Sequence, residues 1–174
     1  NKIYKVFPGG KFKVLTFSYD DGKIEDRRLV KLFNKYNLKA TFNLNTGIID
    51  PAIRIPQEEW PELYAGHDIA VHTFTHPTMI RLNDYAVIRE ILEDKNNLEK
   101  IFHRPITGFA YPNGSFDSRI VDIAKSVGIK YARVTNDRYA ATKAAENYAS
   151  SADGPIPIGD ENGFFMPDDY MRWV

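Results

Sequence analysis

The stretch "VLTFSYDDGK", residues 14–23, joins an apolar segment directly to two aspartates and a glycine. The apolar part favours a half-buried strand, which we place at residues 12–17. Asp20 and Asp21 are adjacent like charges, and they repel one another unless something nearby makes use of both. A lone Asp-Asp-Gly is more often a turn than a site, so its meaning depends on what the fold brings to the end of this strand.

Strand and helix patterns alternate beyond that turn. Apolar side chains recur at the i, i+3, i+4, i+7 spacing of a helix over residues 24–36, and a second strand pattern follows at residues 39–45. The remainder predicts a short helix broken by Pro61, strands at residues 68–73, 106–111 and 129–135, a helix over 84–102 capped by Asn83, and a helix from Asp117 to Gly128. Because strands connected by helices run parallel, we predict an α/β fold.

Composition limits the functions that the chain can have. Its 174 residues are enough for one domain, taken as 1–174, and they include 23 basic and 23 acidic side chains. The zero net charge argues against nucleic acid and anionic membranes as partners. The lack of cysteine excludes disulfides, thiolate metal sites and cysteine nucleophiles. With no apolar run near ~20 residues and no visible signal peptide, a cytoplasmic location is the default expectation, and secretion or a cell-surface location is the alternative for a processed chain.

Polar residues follow each of the first four predicted strands. Ligands of parallel α/β folds bind at the carboxyl ends of the strands, so one rim should collect these residues. They are Asp20 and Asp21, Asn45 and Thr46, His72 and His76, and the turn "YPNG" at 111–114. Two imidazoles and a carboxylate suit zinc, cobalt or manganese, with coordination positions left for water and substrate, which is typical of a catalytic metal.

The histidine pair of "HTFTHP" is predicted on a loop. Pro77 disfavours helical backbone at His76, and Thr73 stands where the helical zincin signature requires glutamate. The two remaining histidines are interpreted as structural or solvated, because His67 precedes the third strand and His103 ends a helix.

Three motifs resemble those of one family. "TFSYDDG" is similar to the first motif of the polysaccharide deacetylases, the NodB-like domains of carbohydrate esterase family four, "HTFTHP" to the second, and "FAYPNG" to a variant of the third. The resemblance spans residues 11–134. It implies a distorted (β/α) barrel, usually of seven strands, and a hydrolase that removes acetyl groups, most often N-acetyl and in some members O-acetyl, from a saccharide.

The resemblance also implies a role for each matching residue. Asp20 corresponds to the catalytic base, and a metal-bound water would be the nucleophile. The metal ligands would be Asp21, His72 and His76, with zinc as the first choice and cobalt, manganese or nickel as alternatives. The backbone N–H of Asn113 would stabilise the oxyanion, while Tyr111 and Pro112 would shape the sugar pocket.

The sequence departs from the family pattern in two places. Ala110 occupies the position of an arginine that orients the catalytic aspartate; Arg133 could replace it, but we expect an exposed structural arginine there. The family's late Leu-x-His, whose histidine protonates the leaving amine, has no match, because no histidine follows His103. We therefore expect a barrel that is incomplete at its C-terminal end and that binds metal better than it turns over substrate.

Two other functions stay open at this point. A catalytically silent saccharide-binding module would explain Ala110 and the missing histidine, but it has no use for Asp20 as a base. A non-haem iron oxygenase uses the same kind of ligands, yet it ordinarily draws on a jelly-roll scaffold and a His-x-Asp pair, and neither is evident here.

Overall fold

A computed structural model describes residues 15–134. It contains one sheet of five parallel strands in the order β1-β2-β3-β4-β5. The strands are β1 Ser18–Asp20, β2 Thr41–Leu44, β3 Asp68–Val71, β4 Gly108–Ala110 and β5 Tyr131–Arg133. Each strand pairs with the next in the chain, and the sheet curls far enough for Arg133 on β5 to contact Asp20 on β1. The described strands and the helices between them thus form a curled half-barrel, in agreement with the predicted α/β fold.

Four α-helices connect the strands, at α1 Asp26–Lys35, α2 Trp60–Leu63, α3 Asp84–Phe102 and α4 Ser118–Ser126. Asn83 and Asp117 cap α3 and α4 as expected, since their side chains accept hydrogen bonds from backbone N–H groups at 2.9 and 2.8 Å. Gly128 follows α4 with a φ of +87°, the left-handed conformation that glycine adopts at little cost. No helix within residues 15–134 is long and apolar enough to cross a membrane.

Two predicted boundaries are wrong. The first strand begins at Ser18, after the apolar segment, because its pairing with β2 runs from Ser18 opposite Thr41; Leu15 is 74% exposed. Residues 12–14 lie outside the described part. Pro61 does not break a helix but lies in the first turn of α2, where its missing N–H has no intrahelical partner to lose.

The core lies between the sheet and the inward faces of the helices. The strand residues Phe42, Val71 and Phe109 are fully buried and belong to one apolar cluster with helix residues such as Val30 of α1, Ile91 of α3 and Ile120 of α4. The buried stripe of α3 consists of Val87, Ile91, Asp94 and Leu98. Asp94 therefore places a carboxyl group on the buried face of α3, where helical periodicity predicts an apolar side chain.

Candidate metal centre

Asp21, His72 and His76 meet at the carboxyl end of the sheet. Asp21 follows β1, and the two histidines lie in the segment that leaves β3. Asp21 Oδ1 lies 3.8 Å from His72 Nε2 and 3.8 Å from His76 Nε2. All three possible ligand atoms fall within 4.8 Å of one another. The structure thus brings together the three residues that the sequence nominated as ligands.

The backbone around this cluster is bent rather than helical. Asp21 has a φ of +80° and is followed by Gly22 at +63°, so the chain turns sharply as it leaves β1. Thr73 and His76 have φ angles of +67° and +57°, which non-glycine residues rarely adopt. The loop predicted for the histidine pair is therefore confirmed, and its left-handed residues resemble the strained backbone that is common at functional sites.

Hydrogen bonds from outside the loop hold it in this shape. The Glu90 carboxylate on α3 accepts from Thr75 N at 2.8 Å and from Thr75 Oγ1 at 2.7 Å. The Thr73 hydroxyl accepts from His76 N at 3.1 Å. Thr75 lies between the two histidines, so anchoring it to a helix fixes the spacing of their rings.

His72 is buried, and its orientation is set by one hydrogen bond. Its Nδ1 lies 2.8 Å from the carbonyl oxygen of Ala110, which can only accept, so Nδ1 carries the proton. The lone pair of Nε2 then points towards Asp21. Burial lowers the pKa of His72 and favours the neutral ring. A neutral imidazole held by a backbone carbonyl is the usual form of a histidine metal ligand.

Asp21 is held as a carboxylate. Burial by itself would raise its pKa, but nearby positive charge, above all that of Arg54, lowers it overall. Arg54 donates to the backbone carbonyl of Asp21 and, at 3.1 Å, to Asn45 Oδ1. The buried Oδ1 of Asp21 makes no hydrogen bond to any described residue. This oxygen has Arg54 Nη2 as an ion-pair partner at 3.5 Å and faces two imidazole nitrogens, an arrangement that fits a divalent transition metal ion.

Asp20 faces different partners from its neighbour. Asn43, which is buried on β2, donates from Nδ2 to Asp20 Oδ1 at 2.9 Å, and Arg133 Nη2 donates to the same oxygen. Both of these donors reach Oδ1, so among the described residues Oδ2 is the oxygen left for a third partner such as water. The expectation that Arg133 would be exposed is wrong, because its side chain is only 22% exposed and is bonded to Asp20.

The third motif lies beside the cluster with its members in different environments. Tyr111 is fully buried, with its ring centroid 4.7 Å from that of Phe109 and 5.2 Å from that of Phe116. Pro112 is buried as well, whereas Asn113 is exposed and left-handed, with a φ of +56°. The substrate and oxyanion roles of Tyr111, Pro112 and Asn113 stay predictions.

The other two histidines lie elsewhere. His67 is buried at the opposite end of the sheet, where its Nδ1 accepts from Ala40 N at 3.3 Å and its Nε2 lies 3.1 Å from Asn34 Oδ1. His103 is the exposed left-handed residue that ends α3. Their interpretation as structural or solvated residues is confirmed.

Asp94 is a site residue that the sequence reasoning missed. Its carboxyl accepts from Thr46 N at 2.7 Å, from Thr46 Oγ1 at 2.8 Å and from His72 N at 3.0 Å, so it links the ends of β2 and β3. Complete burial raises its pKa to about 8 despite these three donors. Its placement among the apolar residues of α3 was the available signal. Asn43 and Arg54 were also missed, and nothing local distinguishes them from ordinary strand and loop residues.

Comparisons with known proteins show the family to which the chain belongs. The sequence profile of the polysaccharide deacetylase family matches residues 8–132, and the chain belongs to that family. Chitin deacetylase 1 of Cryptococcus neoformans is 26% identical over 117 residues, which are 67% of this chain and 24% of that protein. The chain covers between 24% and 50% of the length of the curated relatives it matches.

Two solved structures have a similar fold. The Streptococcus pyogenes deacetylase PplD, determined with acetate, gives a TM-score of 0.65 at 25% identity, over 70% of this chain and 55% of that one. BA3943 of Bacillus anthracis, described as a pseudoenzyme of carbohydrate esterase family four, gives 0.59 at 21% identity, over 70% and 42%. The second likeness shows the fold alone.

Proposed function

We propose that the chain is a metal-dependent hydrolase that removes acetyl groups, in the first place N-acetyl groups, from a saccharide or polysaccharide. The observation that carries this proposal is the different surroundings of the two adjacent aspartates. Asp21 faces the two histidines, while Asp20 is turned towards Asn43 and Arg133. A hydrolytic metal site needs one carboxylate on the metal and one off it, near the same water.

In this proposal Asp21, His72 and His76 hold a divalent ion, with zinc favoured by the mixed nitrogen and oxygen ligands and cobalt, manganese or nickel as alternatives. Such an ion, when bound, polarises the acetyl carbonyl and lowers the pKa of water. The orientation of His72 and the ionised state of Asp21, described above, suit both residues to that task.

Asp20 acts as the general base in this proposal. It accepts a proton from the water whose oxygen attacks the acetyl carbon, and the backbone N–H of Asn113 donates to the resulting oxyanion. The bond between that carbon and the sugar nitrogen then breaks, acetate leaves, the amine takes up a proton from water, and Asp20 returns its proton to the solvent. The donors on Oδ1 support this role because they fix the carboxylate while Oδ2 stays available for water.

A catalytically silent saccharide-binding module is the alternative. Ala110 in place of the family's arginine favours it, and the fold is shared with a protein described as a pseudoenzyme. The intact Asp20 favours the hydrolase, because a binding module has no need of a carboxylate beside the metal.

Acetate release with and without metal distinguishes the two functions. The protein is stripped with a chelator, reloaded with zinc, cobalt or manganese, and assayed on chitin oligomers and acetylated xylan. We expect acetate from the reloaded protein, little from the stripped protein, and loss of both metal and activity in His76→Ala. His103→Asn is the matched control, since that exposed histidine lies away from the cluster and asparagine tolerates its left-handed backbone. Full metal retention with no acetate from any substrate would favour the binding module.

A further inference from the structure

We infer that Arg133 is the positioning residue for Asp20, reaching it from the far edge of the curled sheet. The inference rests on the proposed deacetylase function. Arg133 Nη2 donates to Asp20 Oδ1, and Arg133 Nε donates to Ser18 Oγ at 2.7 Å. Ser18 and Asp20 are two residues apart on β1, so their side chains lie on the same face of the strand. One guanidinium thus binds that face at two points.

Asn43 binds the same two oxygens from β2. Its Nδ2 donates to Ser18 Oγ at 2.8 Å and to Asp20 Oδ1 at 2.9 Å. Three strands therefore contribute to one network, in which a neutral donor and a cationic donor share both acceptors. Because two donors hold Oδ1, the Asp20 carboxylate cannot rotate without losing both bonds, and Oδ2 keeps a fixed direction.

Among residues 15–134, Arg133 is the one cationic donor in this network, and hydrogen bonds from a cation to a carboxylate are roughly twice as strong as neutral ones. Within residues 15–134 no backbone pairing joins β1 to β5, so this side chain is also a direct link across the interior of the half-barrel. A purely structural link and a positioning role predict different kinetics.

The kinetic test compares Arg133→Gln, Arg133→Lys and Arg133→Ala in the full chain loaded with metal. Arg133→Gln is expected to lower kcat for acetate release by about 10- to 100-fold with KM within about threefold, because the base is misplaced and the substrate contacts stay. Arg133→Lys keeps the positive charge but cannot bind both Asp20 and Ser18, so its kcat should lie between those of Arg133→Gln and the wild type. Added guanidinium should raise the activity of Arg133→Ala.

Arg104→Gln is the matched control. Arg104 also joins separate parts of the chain, with Nη1 3.4 Å from Asp68 Oδ1 and Nη2 3.2 Å from the His67 carbonyl, but at the opposite end of the sheet. Its removal is expected to lower stability and leave kcat unchanged. If Arg133→Gln behaves in the same way, with kcat within twofold of wild type and no guanidinium rescue, Arg133 is a structural link and the inference is overturned.

A second readout does not depend on turnover. The Nη resonances of ¹⁵N-labelled Arg133 report rotation of its guanidinium, which should be hindered in the wild type and released in Asp20→Ala. Unhindered rotation in the wild type would overturn the contact whatever the activity. Hindered rotation that is released in Asp20→Ala, in a wild type that releases no acetate, would support the contact and overturn the proposed function.

Discussion

Asp26 at the start of α1 should make the stability of the protein depend on pH. Its carboxyl is 5% exposed and accepts a hydrogen bond from Tyr64 Oη at 2.8 Å, from a tyrosine that is itself buried. Burial raises the pKa of Asp26 from 3.8 to about 6, although the bond from Tyr64 acts in the opposite direction. The folded protein therefore holds the proton more tightly than the unfolded chain.

The sign and size of the effect follow from that difference. The stabilisation from the protonated carboxyl is fully present below pH 3.8 and is lost as the pH rises through about 6. Relative to low pH, a difference of about two pKa units lowers the free energy of unfolding by roughly 3 kcal/mol at pH 8 and by about 1 kcal/mol at pH 4.5. Asp26→Asn cannot ionise, and its amide oxygen can still accept from Tyr64.

Urea denaturation of wild type and Asp26→Asn at pH 4.5 and pH 8 measures this effect, because contributions from other titrating groups cancel in the difference. We expect the variant to be more stable, by an amount about 2 kcal/mol larger at pH 8 than at pH 4.5. If the variant and the wild type differ in stability by the same amount at both pH values, Asp26 has the same pKa in the folded and unfolded states, and the prediction is wrong.

Two further predictions concern the support of the cluster and the sheet. Asp94→Ala leaves the backbone N–H groups of Thr46 and His72 without their acceptor; it should weaken zinc binding by about 10- to 100-fold in calorimetric titration, and unchanged affinity would contradict the linking role. Gly108→Ala places a Cβ atom 2.2 Å from the ring of Tyr131; it should lower the free energy of unfolding by about 1–3 kcal/mol, and an unaltered Tm would show that the ring moves aside.

The helices could be predicted because their signals are local. The apolar spacing of residues 84–102 and the cap at Asn83 lie within one helix, and the structure gives the same bounds. The start of β1 could not be found in this way. The start of β1 is set by its pairing with β2, which begins at Ser18 opposite Thr41. The apolar residues before Ser18 do not indicate this register.

The meeting of Asp21, His72 and His76 could be predicted because parallel strands bring their carboxyl ends to one rim. That rule needs only the order of the strands, and it located Asp21, His72 and His76 together. The partners of Asp20 depend instead on the curvature of the sheet. Arg133 is 113 positions away from Asp20 in the sequence and lies four strands across the sheet, so only the three-dimensional structure places the two side chains in contact.

The proposal that Asp20 is the base and Asp21 a metal ligand is tested most directly by comparing Asp20→Asn with Asp21→Asn. Bound zinc and acetate release are measured on the same samples. Asp20→Asn is expected to keep its metal and to lose activity by about 10²- to 10⁴-fold, the contribution of a general base. Asp21→Asn should lose the metal together with the activity. Loss of metal in Asp20→Asn, or acetate release from it at the wild-type rate, would contradict the assignment of Asp20 as the base.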